Sequence, residues 1–169
     1  MNFKKIICWK PLLSGVGAAV TIGILAYITF QSFLTESIYG LWLTASFGST
    51  VVLVFGYPEN EFAQPRNVLF GHIICALIGI LFVVLFKISQ DRLIFFLAIG
   101  LAVGISVMLM MALKISHPPA GGNTIVVMLA QDSFQYLIFP IMVGAITIII
   151  GGVIYNRFIL KKNYPVKWY

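Results

Sequence analysis

The chain has 169 residues, of which 60% are hydrophobic, and it carries only 11 Lys or Arg and 5 Asp or Glu. Charged residues make up 9% of the chain, against about 25% of a typical soluble domain. A soluble domain of this size leaves about 30% of its unfolded surface exposed, so it could not hide this much apolar surface. The composition predicts one integral membrane domain embedded in the lipid bilayer. It excludes a disordered chain, a disulfide scaffold and a nucleic-acid-binding protein.

Six apolar segments lie between the charged residues, and a helix needs about 20 residues to cross the hydrocarbon core. Five of them have 20 to 23 residues, whereas segment 115–131 has only 17. They predict an all-α, multi-pass transmembrane helical bundle with a basic N-terminus (1–11), a membrane domain (12–157) and a basic C-terminus (158–169). In chain order the segments are 12–34, 38–57, 67–86, 93–113, 115–131 and 134–156.

The fifth segment is unusual because it begins Ile115-Ser116-His117-Pro118-Pro119. Proline has no N–H to donate, and it keeps the residue before it out of the helical region. We expect a helix to begin at about Pro119 or Ala120 and to run to Ala130, which is about half a bilayer. The sequence therefore predicts a broken or re-entrant half-helix, which a membrane tolerates only where protein or a wet cavity surrounds it.

The second segment resembles the fifth, since Gly48–Val54 and Gly122–Met128 share three of seven residues. Each stretch lies in the middle member of a group of three segments. Paired interruptions at corresponding positions of two halves point to a transport site. A 3+3 inverted repeat is one interpretation, and chance similarity in an apolar chain is the other.

Basic residues set the orientation, because cytoplasmic loops of membrane proteins carry an excess of Lys and Arg. With six crossings, nine lie on one side and two on the other, which puts both termini in the cytoplasm. The predicted location is the plasma membrane, the inner membrane of a bacterium. Four crossings, with segments two and five both re-entrant, exchange Arg66 and Lys114 with Lys87 and Arg92 and keep the nine-to-two count, so the crossing number stays open. The nine are Lys4, Lys5, Lys10, Arg66, Lys114, Arg157, Lys161, Lys162 and Lys167, and the two are Lys87 and Arg92.

The chain has two histidines, His72 and His117, and both fall at or near membrane depth. Ionisable groups are costly there, so each is a candidate for proton relay or substrate binding. The structural alternative for His72 is a neutral imidazole bonded to a neighbouring helix. For His117 the alternative is an imidazole that caps stray carbonyl groups of the proline segment.

The entry of the half-helix predicts an anion-binding site. The first N–H groups of a helix lack internal partners, and the macrodipole makes that end positive. No bulky side chain blocks those groups at Gly121, Gly122, Asn123 and Thr124. The alternative is that the small residues only permit close helix packing. The residues that we expect on the facing segment are Ser49 and Thr50.

Other residues bear on the class of solute. Arg66 begins the third segment, where it could attract anions, reach lipid headgroups, or pair with Glu59 or Glu61. All five carboxylates lie in predicted loops, which argues against an acid-lined cation path. The sequence carries no catalytic triad, metal-ligand cluster or phosphate-binding loop, so we expect neither an enzyme nor a cofactor.

The chain resembles the HPP family of small integral membrane proteins. The resemblance rests on His117-Pro118-Pro119-Ala120-Gly121-Gly122-Asn123-Thr124, with support from Phe55-Gly56-Tyr57-Pro58, Ala63-Gln64-Pro65-Arg66-Asn67 and Gly71-His72. It covers about residues 11–157 and implies a membrane fold. Relatives from photosynthetic organisms are described as nitrite transporters, so the resemblance makes nitrite a first candidate.

Two functional hypotheses follow. The first is a transporter or channel for a small inorganic anion, nitrite or nitrate first. In it His117 orients the pocket or takes a proton, His72 is its relay partner and Arg66 attracts the anion. The second is a membrane scaffold or regulatory subunit that binds a partner protein or lipid. Small residues on the segments favour close helix contacts, and a homo-oligomer would help so small a chain to shelter a wet pathway.

Overall fold

The structure, a computed structural model, describes residues 9–32, 39–86, 92–130 and 134–168. All regular elements in these ranges are helical, as the composition predicts. The α-helices are α1 (Trp9–Ser32), α2 (Tyr39–Val51), α3 (Pro65–Phe86), α4 (Arg92–Ala112), α5 (Gly121–Ala130), α6 (Phe134–Tyr136) and α7 (Val143–Val153). The predicted segment ends at 34, 38 and 131, and the basic residues Lys4, Lys5 and Lys87, lie outside the described residues.

Four helical stretches are long and apolar enough to cross a membrane. The second segment forms α2 and the helical turn Val52–Gly56 that continues it, and its apolar part Ala45–Gly56 is shorter than these four. Helix α5 has only 10 residues, so the fifth segment is short, as the half-helix predicts. The re-entrant path and the inverted repeat stay predictions. The four long stretches are Trp9–Thr29, Pro65–Leu85, Ile94–Ala112 and Phe134–Ile159.

A compact loop joins α2 to α3. The end of α2 widens into a π-helical turn, Val52–Gly56, and a single 3₁₀ turn, Glu61–Ala63, follows. The side chain of Gln64 closes the loop, because its Nε2 donates to the carbonyl oxygens of Pro58 and Asn60 at 2.9 and 2.8 Å. Pro65 then begins α3, a position that suits a residue without an N–H. The loop backbone is fixed by its own side chains.

The half-helix agrees with its prediction. Lys114 adopts a left-handed conformation (φ 55°) just after α4, and the chain then runs extended to His117. A 3₁₀ turn, Pro118–Ala120, leads directly into α5, which ends at Ala130. The two prolines occupy the first turn, where their missing N–H groups cost nothing.

The last segment has a break that was not predicted from the sequence. Phe139 is extended (φ −131°, ψ 114°) immediately before Pro140, within a π-helical stretch Leu137–Met142. Proline removes a helical hydrogen bond and clashes with the preceding turn, so Pro140 was the available signal. The helix resumes as α7 and widens again at Ile154–Ile159.

Helix α3 lies at the centre of the fold, between α4, α5 and α7. A stripe of small residues, Gly71, Cys75 and Gly79, allows α5 to approach it closely: a Cβ on Gly79 would lie 2.9 Å from the carbonyl oxygen of Thr124. The outward faces of α1 and α4 leave large apolar side chains exposed, as lipid-facing helices do. Helices α4, α5 and α7 therefore pack around α3.

Candidate functional site

Five polar side chains form a continuous network in this interior. They come from three helices and the proline segment, and each is at most 7% exposed. Polar groups buried in a membrane protein are expensive unless they are bonded to one another. The five are Ser46 and Thr50 of α2, His72 of α3, His117 before the 3₁₀ turn, and Asn123 of α5.

Thr50 lies between the two histidines. Its Oγ1 is 2.9 Å from Nε2 of His72 and 2.9 Å from Nε2 of His117. The two imidazole rings meet edge to face, with centroids 5.0 Å apart. One hydroxyl group thus joins the two histidines of the chain through their equivalent nitrogens.

Asn123 extends the network on the far side of His72. Its Nδ2 is 2.7 Å from His72 Nδ1, and its Oδ1 is 2.5 Å from the hydroxyl oxygen of Ser46. Phe47 covers the His72 ring at a centroid distance of 4.8 Å. Helices α2, α3 and α5 are therefore tied together at one level by side-chain hydrogen bonds.

One backbone carbonyl sets the direction of these bonds. The oxygen of Phe62 lies 2.7 Å from His117 Nδ1 and can only accept, so Nδ1 carries the proton. In a neutral His117, Nε2 then accepts from the Thr50 hydroxyl. The Thr50 oxygen accepts from Nε2–H of His72, whose Nδ1 accepts from the amide of Asn123. The chain of bonds begins at Ser46, whose hydroxyl donates to Oδ1 of Asn123.

With both histidines neutral, these bonds require opposite tautomers. His117 is protonated at Nδ1 and His72 at Nε2, and each remaining ring nitrogen accepts one bond. Each side-chain nitrogen and oxygen in this series of bonds has a partner. This arrangement satisfies the buried polar groups without any net charge.

Thr50 also permits a second protonation state. Its hydroxyl has one proton but two acceptors at 2.9 Å, Nε2 of His117 and the carbonyl oxygen of Ser46. The Ser46 carbonyl already accepts the backbone N–H of Thr50 in α2, so it is satisfied in either case. If His117 gains a proton, its Nε2 becomes a donor and the hydroxyl can rotate toward Ser46. The network can therefore accept one extra proton without moving a heavy atom.

The C-terminal segment holds the Phe62 carbonyl in place. The hydroxyl of Tyr164, a buried residue, donates to the carbonyl oxygen of Ala63 at 2.8 Å. Burial raises the pKa of the Tyr164 phenol, so it remains a donor. The backbone N–H groups of Val166 and Lys167 donate to Oε1 of Gln64 at 2.8 and 3.2 Å. Residues 164–167 thus fix the α2–α3 loop, and the Phe62 carbonyl of this loop orients His117.

A second buried cluster lies beside the network. Thr124 Oγ1 donates to the carbonyl oxygen of Cys75 at 2.8 Å, and Ser106 Oγ lies 2.8 Å from the same hydroxyl. Because the Thr124 proton goes to the carbonyl, Ser106 is the donor to Thr124. These bonds tie α3, α4 and α5 together, so Thr124 holds helices and does not face the histidines.

The remaining predicted residues lie away from the network. Gly122 is exposed and Gly121 half-buried, and the N–H of Gly121 bonds to the carbonyl oxygens of Pro118 and Pro119. Ser49 is exposed, on a different face of α2 from Thr50. The structure therefore brings His72, His117, Thr50 and Asn123 together. Gly121, Gly122 and Ser49 are not part of this network.

Arg66 does not contact the network. Its Nη2 donates to the carbonyl oxygen of Leu113 at 3.3 Å, at the C-terminal end of α4, where a cation complements the helix dipole. The neighbouring Asn67 donates to the carbonyl oxygen of Ser116 at 3.0 Å. The start of α3 therefore anchors the chain that carries His117. Of the two carboxylates suggested as partners of Arg66, Glu59 pairs instead with Lys162 at 3.1 Å.

The roles of Ser46 and the Phe62 carbonyl in the network were not predicted from the sequence. Ser46 precedes Thr50 by four residues, the spacing that places two side chains on one helix face, so its role had a visible signal. A backbone carbonyl has no sequence signal. Within the described residues no group of three His, Cys, Asp or Glu side chains could hold a metal ion.

Nearly the whole chain matches one protein family. The family model described as the transmembrane region of HPP proteins matches residues 4–165. The chain belongs to the HPP family. In this HPP chain the motif that begins at His117 contains two members of the network, His117 and Asn123. The supporting motif Gly71-His72 contains a third.

Two transmembrane proteins of Dictyostelium discoideum are similar to this HPP chain. One is 31% identical over 154 residues, which cover 88% of the chain and 48% of the relative. The other is 30% identical over 165 residues, which cover 95% of the chain and 55% of the relative. The HPP chain therefore spans about half the length of these curated relatives. No solved structure matches it.

Proposed function

We propose that this HPP protein is a transporter for a small inorganic anion, with nitrite or nitrate the first candidates, and that it moves the anion together with a proton. The observation that carries the proposal is the Thr50 hydroxyl 2.9 Å from Nε2 of both histidines in a buried hydrogen-bonded network. A purely structural polar cluster needs no capacity for an extra proton.

His117 is the proton acceptor in this proposal. A proton on His117 needs only the rotation of the Thr50 hydroxyl toward the Ser46 carbonyl. A proton on His72 Nδ1 would meet the donor amide of Asn123, whose side chain would have to turn over. In this step the Thr50 hydroxyl rotates, while Nε2–H of His72 continues to donate to the Thr50 oxygen.

The anion supplies the compensating charge. A protonated His117 gives a buried positive charge, which costs several kcal/mol unless a counter-charge comes with it. The Ser46 hydroxyl and the Asn123 amide are polar donors at the other end of the network, and they would turn to an anion that displaces their mutual bond. Loading both species together leaves the site neutral, which favours joint transport.

The network is closed in this structure, since His72, His117 and Thr50 have no exposed surface. A carrier that opens alternately to the two sides passes through such a closed state. The half-helix α5, which carries Asn123, and the proline segment before it, which carries His117, are the elements whose movement would open the network.

Flux measurements on proteoliposomes test the proposal. Nitrite and nitrate uptake are measured with and without an inward proton gradient for the wild type, Thr50→Ser and Thr50→Val. We expect the gradient to drive uptake, Thr50→Ser to keep at least about half of the rate, and Thr50→Val to lose about tenfold or more. Thr147→Val is the matched control, because the Thr147 hydroxyl bonds only within its own helix.

Three outcomes would count against the proposal. Equal uptake by Thr50→Val and the wild type would remove the network from transport. Uptake that ignores the proton gradient would remove the coupling. Absence of flux for a panel of small anions, together with a stoichiometric protein partner that co-purifies, would support a scaffold instead.

A further inference from the structure

A cavity of about 400 Å³ lies apart from the network, between the start of α1, the π-helical turn after α2 and the C-terminal segment. Lys10 and Lys162 stand among its lining residues, and its other walls are largely apolar. The apolar side is formed by Ala18, Val51 and Phe55. The cavity thus combines a basic edge with an apolar floor.

The charged side chains at this edge have a net charge that one monovalent anion would neutralise. Lys162 pairs with Glu59 at 3.1 Å. The hydrogen bond from Lys162, with smaller contributions from the charges of Lys162 and Lys10, lowers the pKa of Glu59, so the carboxylate is charged at neutral pH. Two lysines and one carboxylate sum to a single positive charge. A ligand with one negative charge, such as a phosphodiester, would neutralise the edge.

Exposed aromatic side chains place the cavity at the membrane surface. Trp9 is 71% exposed beside Lys10, and Tyr57, which lines the cavity, is 62% exposed. Trp and Tyr are enriched at the level of the lipid headgroups. The following turns of α1 expose the apolar residues Leu12 and Val16, as expected within the acyl region.

We propose that this cavity binds an anionic phospholipid. Its phosphodiester would lie between Lys10 and Lys162, and its glycerol and the first part of an acyl chain would cover Val51 and Phe55. A free inorganic anion would gain the charge contact but would leave the apolar floor uncovered. The proposal is independent of the transport function, because the cavity shares no residue with the network.

The test is lipid binding to the purified, delipidated full chain in a non-ionic detergent, counted by native mass spectrometry. The probes are dioleoylphosphatidylglycerol and dioleoylphosphatidylcholine. We expect one phosphatidylglycerol per chain, bound at least about tenfold more tightly than phosphatidylcholine. Lys10→Gln should weaken phosphatidylglycerol binding about fivefold, which corresponds to about 1 kcal/mol for one basic residue near an anionic headgroup.

Two further variants separate the cavity from general surface charge. Lys161→Gln removes an exposed charge that does not line the cavity, and we expect it to leave binding unchanged. Gly15→Leu fills the cavity without changing charge, since a Cβ on Gly15 meets nothing within 4 Å, and we expect it to reduce binding as much as Lys10→Gln. Gly104→Leu, on the exposed face of α4, is its control.

Equal losses in Lys161→Gln and Lys10→Gln would overturn the proposal, because the attraction would then be a property of the whole basic surface. Equal binding of the two lipids, or unchanged binding in Gly15→Leu, would also overturn it. Competition by inorganic phosphate at the concentration of the lipid would assign the cavity to a free anion. Thermal melting of each variant checks that it is folded.

Discussion

A Cβ atom on Gly71 would lie 2.7 Å from the Cβ of His117. The same atom would lie 3.3 Å from the carbonyl oxygen of Ile115. Real Cβ atoms do not approach so closely, so only glycine lets the proline segment lie against α3 here. The distance between His72 and His117 on the two sides of Thr50 therefore depends on a residue with no side chain.

Gly71→Ala should displace His117 and break the network. We expect the free energy of unfolding to fall by about 1–3 kcal/mol, as for other overpacked sites, and proton-driven anion uptake to be lost. Gly104→Ala is the control, because a Cβ there meets nothing within 4 Å. Thermal unfolding in detergent and uptake into proteoliposomes measure the two effects. A Gly71→Ala variant with wild-type melting and uptake would mean that the close approach is unimportant.

Tyr164→Phe should affect the network from outside it. The substitution keeps the buried ring but leaves the Ala63 carbonyl without its partner, at a cost of about 1–3 kcal/mol. We expect the hydrogen bond from His117 Nδ1 to the neighbouring Phe62 carbonyl to weaken. Uptake should then fall severalfold, and the pH dependence of uptake should shift. Tyr155→Phe is a matched control, because its hydroxyl bond to Ser14 is long, at 3.4 Å. A loss of stability with an unaltered pH profile would limit Tyr164 to a structural role.

The pairing of Glu59 with Lys162 should make a small, pH-dependent contribution to stability. Because the pKa of Glu59 is lowered in the folded protein, its contribution is present above the unfolded pKa of about 4.3 and is lost as the pH falls through the folded value. The Glu59 side chain is 68% exposed, so solvent screening keeps the effect below about 1 kcal/mol. Melting curves of the wild type and Glu59→Gln should differ at pH 7 and converge near pH 3. A constant difference across this range would exclude the carboxylate as the cause.

Much of the fold could be predicted from the sequence, because hydropathy and proline act locally. The lengths of the apolar segments gave the membrane class, and Pro118 and Pro119 fixed the start of the half-helix within a few residues. The break at Phe139 was missed, although Pro140 carried the same signal. Packing of the C-terminal segment onto the α2–α3 loop depends on contacts about 100 residues apart, which no local pattern reports.

The candidate site was predicted in part. His72 and His117 stood out because ionisable groups are rare at membrane depth, and Thr50 and Asn123 because they accompany the interrupted segments. Ser49 and Thr50 were predicted together, although adjacent residues of a helix face different directions and only Thr50 lies in the network. The Phe62 carbonyl could not be predicted, because every residue has a carbonyl and only the fold selects one.

The tautomers of the two histidines test the network most directly. Both can be determined by ¹⁵N NMR of imidazole-labelled protein in lipid bilayers at neutral pH, with a His72→Gln variant to assign the two sets of signals. The hydrogen-bond network predicts opposite neutral tautomers, His117 protonated at Nδ1 and His72 at Nε2. Two identical tautomers, or a His117 protonated only at Nε2, would contradict it.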